Sequence, residues 1–251
     1  MPLPKIDLPT YEIKLVTLPT PIKFRPFLVK EEKILLMALQ SEDETNIMNS
    51  IKQVVNNCLF DNSVDIEKLP IFDLEYLFLN IRARSAGEEV DTVYMCRQAV
   101  KTKLEDGTEA DDVCANLMNV KVNLLEIKPP ISDLPSRIML TNKIGLQMTL
   151  PTLKTFAPIK AVVESENTDA VFNLIYSCCE YVFDENGVYY TKESTREEFD
   201  NFLNSLTQEQ FDTITRFFEM IPKIRHEAEH TCEKCGFNHK LVMEGLNDFF
   251  T

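Results

Sequence analysis

The sequence predicts an α+β fold, and three observations carry that prediction. Apolar residues recur with helical spacing in some stretches and with strand alternation in others. Turn-forming residues cut these stretches into short segments. The 251 residues are 44% hydrophobic and 26% charged, an ordinary globular balance with material for one large core or two small ones. The expected order is an N-terminal β-hairpin with helices, a middle β-subregion, and C-terminal helices that end in a β-hairpin resembling a zinc knuckle.

Tyr11 to Val16 alternates like a strand, Leu18-Pro19-Thr20-Pro21 turns the chain, and Ile22-Lys23-Phe24 returns. Lys30–Gln40 carries Ile34, Leu35, Met37, Ala38 and Leu39 and suits a largely buried helix. Asp43–Cys58 places Ile47, Ile51, Val54, Val55 and Cys58 on one face, with a cap near Asp43. After a turn at Asp61-Asn62-Ser63, Ile71–Arg84 spaces Leu74, Leu77, Phe78 and Ile81 as a third helix.

Glu89–Cys96 then alternates, Lys103–Asp112 reads as an acidic, turn-like insertion, and Val120, Val122, Leu124 and Ile127 mark another strand. Pro129, Pro130 and Pro135 form the strongest boundary, dividing residues 1–128 from 129–251 or punctuating one integrated domain. Arg137–Leu140 and Ile144–Leu150 make a hairpin, Asp169–Phe183 a helix, and Asp184-Glu185-Asn186-Gly187 a turn into Val188-Tyr189-Tyr190. Thr195 with Glu198 and Thr207 with Gln210 are capping boxes, so helices should begin at 196 and 208. Their stripes of Phe199, Phe202, Leu203 and Leu206, then Phe211, Ile214, Phe217 and Phe218, are core faces.

A net charge of −14 sets a negative field that disfavours nucleic acid and anionic membrane surfaces as partners. No run approaches the roughly 20 apolar residues of a membrane helix, so the chain reads as soluble. Met1-Pro2-Leu3-Pro4-Lys5 lacks a secretory pattern, which puts the seven cysteines in a reducing cytosol as free or metal-bound thiols.

Cys232-Glu233-Lys234-Cys235-Gly236 is the main chemical constellation. Two thiolates separated by two residues can face one tetrahedral ion, and glycine supplies the left-handed backbone of the tight turn. The alternative is a pair of reduced thiols in a β-turn. A second pair has the same layout: Thr92-Val93-Tyr94-Met95-Cys96 enters, and Cys114-Ala115-Asn116 leaves toward Val120–Leu124. Cys96, Cys114, Cys232 and Cys235 are therefore expected to close one structural zinc site from two pseudo-equivalent knuckles. His226, His230 and His239 are the only histidines, and His239 is the best substitute ligand. The competing reading makes all three solvated strand residues.

No GxSxG, HExxH, EF-hand, GxGxxG or P-loop pattern occurs, and Asp106-Gly107 and Asp111-Asp112 read as solvated loop acids. Cys178-Cys179 sit in an apolar stretch as inert thiols. The chain is expected to be no enzyme and to have no small-molecule substrate.

Lys23-Phe24-Arg25-Pro26-Phe27-Leu28-Val29-Lys30-Glu31-Glu32-Lys33, Phe72–Ser85 and the Cys-x-x-Cys tail ending in Phe249-Phe250 resemble the T4-type bacteriophage baseplate protein family over most of the chain. The resemblance implies a late viral protein of the contractile-tail baseplate hub whose partners are other hub proteins. It implies either a hub component retained in the virion tail or a factor that assembles the hub in the host cytoplasm and departs. Phe24, Arg25 and Phe27 are candidate interface anchors, with a core role for both phenylalanines as the alternative. Two further readings stay open: a zinc-stabilised interaction module outside the tail, and an enzyme of unrecognised chemistry.

Overall fold

The computed structural model describes residues 7–40, 44–60, 64–103, 109–129, 134–153, 155 and 168–249. The expected cap near Asp43, the turn at Asp61-Asn62-Ser63, Asp106-Gly107, Pro130 and Phe250 lie outside the described residues. Runs of helices and small antiparallel sheets follow one another along the described residues, an α+β architecture.

The first core gathers both ends of the chain. Strands β1 (Tyr11–Ile13) and β2 (Ile22–Phe24) pair antiparallel and bury Ile13, Ile22 and Phe24. Helices α1 (Val29–Gln40), α2 (Glu44–Cys58) and α3 (Ile71–Ala86) pack on them through Val54, Val55, Leu74, Leu77 and Ile81. From the other side come strands β3 (Glu89–Met95) and β6 (Leu117–Asn123), with β11 (Arg225–Thr231) and β12 (Asn238–Glu244). Val90, Val120, Val122, Ile224 and Met243 join the same core.

Helix α1 departs from the expectation of a largely buried helix. Ala38 is buried and Ile34 and Leu35 are half-buried, but Leu36 and Met37 are exposed. One face meets α2, and a single packing face covers only a stripe of a helix, so adjacent apolar residues cannot all reach it.

Strands β4 (Ala99–Lys103) and β5 (Glu109–Val113) pair as a ribbon, so the described residues of the stretch expected to be turn-like, Lys103 and Glu109–Asp112, are strand. Cys96 and Cys114 lie between this ribbon and the β3–β6 pair. Residues 89–103 and 109–123 thus pair along one long antiparallel ribbon interrupted at the two cysteines, called the long hairpin below.

The second core lies between residues 138 and 217. Its sheet runs in the order β10–β9–β8–β7, using β7 (Arg137–Met139), β8 (Gly145–Met148), β9 (Cys179–Phe183) and β10 (Val188–Tyr190). Helices α4 (Thr168–Cys178), α5 (Arg196–Asn204) and α6 (Gln208–Glu219) cover it through Leu174, Ile175, Phe199, Leu203, Ile214 and Phe217. Both predicted capping boxes form, and α5 and α6 begin at Arg196 and Gln208 as expected. The predicted helix 169–183 ends at Cys178, because Cys179–Phe183 is an inner strand of the sheet. An apolar run does not separate buried helix from buried strand, and here the sheet claims its second part. Cys178 and Cys179 are both buried, with burial pushing their thiols up to about 12 and about 11. Gly145 is forced by packing: a Cβ there would stand 2.5 Å from both the Ile138 carbonyl oxygen and the Phe183 ring.

No helix among the described residues is long and apolar enough to cross a membrane. On α3, burial pushes the Glu75 carboxyl up from 4.5 to about 7, opposed by the Leu246 N–H and by Lys223. A carboxyl raised by folding favours the folded state at low pH, and that contribution is lost as pH rises from 4.5 through about 7. Glu75→Gln is therefore expected to be more stable than the parent at pH 8, by roughly 1–3 kcal/mol, with the difference gone at pH 4. Parallel urea titrations at the two pH values check this.

Candidate metal centre

Each pair of cysteines is held by the same backbone pattern. In the C-terminal hairpin the Cys232 N–H donates to the Phe237 carbonyl at 2.9 Å, and the Gly236 N–H to the Cys232 carbonyl at 2.8 Å. In the long hairpin the Cys96 N–H donates to the Asn116 carbonyl at 2.8 Å, and the Ala115 N–H to the Cys96 carbonyl at 2.9 Å. Residue for residue, Ala115 occupies the place of Gly236, and both are left-handed, with φ of 51° and 73°. Alanine there is uncommon, and it persists because the flanking pairing fixes the turn. The expected pseudo-equivalence of the two knuckles is thus present in the backbone.

The turn of the C-terminal hairpin docks on the break in the long hairpin and brings the four sulfurs together. Cys96, Cys114, Cys232 and Cys235 place their sulfurs within 4.8 Å of one another. The first three are buried and Cys235 is half-buried. Cys96 Sγ is 3.6 Å from Cys235 Sγ, and Cys114 Sγ is 3.8 Å from Cys232 Sγ. All four are free thiols. A tetrahedron of sulfurs about 2.3 Å from a central zinc has edges of about 3.8 Å, and the separations of 3.6 and 3.8 Å match such edges.

The electrostatics differ among the four thiols. The backbone N–H groups of Cys235 and Lys234 aim at the Cys232 sulfur and outweigh burial, lowering its thiol to about 6. Burial pushes Cys96 up to about 12 and raises Cys114, against single N–H donors from Gln98 and Asn116. On the protein's own groups alone the first thiolate opposes the next, and a divalent cation at the centre reverses that sign.

Two neighbours escaped the sequence reading. Asn116 Nδ2 donates to Cys232 Sγ at 3.5 Å, and Lys234 Nζ donates to the Cys114 carbonyl at 2.9 Å. The repeat offered the only signal, since Asn116 lies two residues beyond the second cysteine of its knuckle. His239 Nε2 is 3.2 Å from Cys96 Sγ. His230 pairs across the ribbon with His239, and His226 with Met243 at the far end.

The candidate interface residues lie elsewhere. Phe24 is 2% exposed in the first core, and Phe27 is half-buried against it. Arg25 donates to the buried Glu31 at 3.2 Å and to the carbonyls of Asn57 and Pro26 at 2.8 Å. Burial alone would raise Glu31, but Arg25 and the Leu28 N–H hold its carboxyl below the usual range. This segment fastens β2, α1 and α2 to one another, so Phe24 and Arg25 are engaged within the chain. No other group of three or more metal-ligating side chains occurs among the described residues.

Fold and site together define an α+β protein with two apolar cores, whose C-terminal hairpin meets the middle of the chain at a four-cysteine cluster. The chain belongs to the T4 bacteriophage base plate protein family, whose model matches residues 8–251. It is a phage baseplate protein. No curated protein and no solved structure matches it.

Proposed function

We propose that this chain acts in assembly of the baseplate hub through protein–protein contacts, without catalysing a reaction, and that Cys96, Cys114, Cys232 and Cys235 hold one structural zinc ion. Family membership over nearly the whole chain carries the baseplate role. The sulfur separations carry the metal. Closed four-sulfur sites are structural, because no coordination position is left for water or substrate. The partners on this reading are other hub proteins, met in the host cytoplasm during assembly.

A phage lacking this chain should accumulate unassembled hub proteins and no finished baseplates; intact baseplates would refute the role. Quantitative mass spectrometry of purified virions beside infected-cell lysate then separates its two forms. A small whole-number copy per tail identifies a hub component. Abundance in lysate with absence from virions identifies an assembly factor that departs.

A further inference from the structure

The two knuckles exchange side-chain contacts. Asn116, from the long hairpin, reaches across to Cys232, the first cysteine of the C-terminal knuckle, at 3.5 Å. In the other direction His239, from the C-terminal hairpin, reaches Cys96, the first cysteine of the long hairpin, at 3.2 Å. His239 lies four residues beyond Cys235, and the corresponding position beyond Cys114 is Met118, a buried apolar residue. The imidazole is therefore an addition to a four-sulfur arrangement that is already closed, with sulfur separations of 3.6 and 3.8 Å. Its ring is oriented by the edge of Phe237, with centroids 4.8 Å apart and planes at 70°.

From this geometry we infer that His239 is a positioning residue outside the metal's ligand set, donating its Nε2–H to the Cys96 sulfur as Asn116 donates to that of Cys232. The inference rests on the proposed zinc site. A four-thiolate centre carries two net negative charges, and donors to its sulfurs spread that charge and fix the sulfur orbitals toward the ion. Conserving the arrangement requires a donor at that point and no lone pair on the metal. Glutamine can supply such a donor through Nε2, whereas alanine cannot.

The test is Co(II) binding to the full chain, read by absorption spectroscopy and by competition with a chromophoric chelator. The parent should bind one Co(II) with a four-thiolate spectrum. His239→Ala should keep that stoichiometry and spectrum but bind about 10–100-fold more weakly, and His239→Gln should recover most of the loss. Two results would overturn the inference: a parent spectrum of three thiolates with one imidazole that changes in His239→Ala, or equal affinity in all three proteins. A parent chain that binds no metal would overturn the zinc reading as well, and is told apart because the parent itself then fails. His239→Gln keeps the test decisive if His239→Ala misfolds.

Discussion

Stripping the metal from the purified chain with a strong chelator is expected to lower its melting temperature by about 10 °C. With free zinc about a thousand times above Kd, binding to the folded state alone contributes about 4 kcal/mol. For a chain of this length each kcal/mol moves Tm by roughly 2–4 °C. Cys96→Ser and Cys232→Ser should each remove the ion, because the four sulfurs come from two hairpins more than a hundred residues apart in sequence and neither pair closes the site alone. The loss should also be local. Hydrogen exchange should accelerate in Glu89–Asn123 and Arg225–Glu244, while α5 and α6 of the second core keep their protection. Protein purified without chelator that contains no zinc, or a melting curve indifferent to chelator, would sink the assignment.

The second large effect is expected at Asp73. Its carboxylate is fully buried in the first turn of α3 and accepts the N–H groups of Val16 and Thr17, each at 3.0 Å, together with the Thr17 hydroxyl. This one side chain ties the exit of β1 to a helix more than fifty residues later. Asp73→Ala leaves those donors without an acceptor and should cost about 2–4 kcal/mol, read as a lower urea midpoint at unchanged slope. Asp73→Asn keeps one acceptor oxygen and should fall between the two. A change below about 0.5 kcal/mol for Asp73→Ala would mean that water replaces the carboxylate there.

Asp73 also marks where sequence reasoning ended. In the sequence it is an acidic residue in the first turn of a helix, an ordinary placement favoured by the helix dipole. Its partners at Val16 and Thr17 are long-range, and spacing carries no information about them. Local signals fared better. Both capping boxes formed where Thr195 and Thr207 placed them, since the cap hydroxyl and the side chain three residues on satisfy each other within one turn. The β1–β2 and β11–β12 hairpins were legible for the same reason: alternation and a turn signal are local.

Errors arose where the partner decided the outcome. Cys179–Phe183 reads as a continuation of α4 until β8 and β10 are set on either side of it. Met37 reads as core until α1 is given a single packing face. Phe24 reads as either an interface anchor or a core residue, and only the packing of the first core shows where its ring lies.

The cysteine site divides along the same line. By itself the sequence determined the C-terminal knuckle, because Cys232, Cys235 and Gly236 are written within one short turn, whereas Cys96 and Cys114 are separated by the β4–β5 ribbon and were matched to it only by their layout. That all four sulfurs meet at separations suited to one ion was decided only by the tertiary structure. The first core holds β3 and β6 against β11 and β12, and apolar burial is additive over many side chains and indifferent to sequence distance.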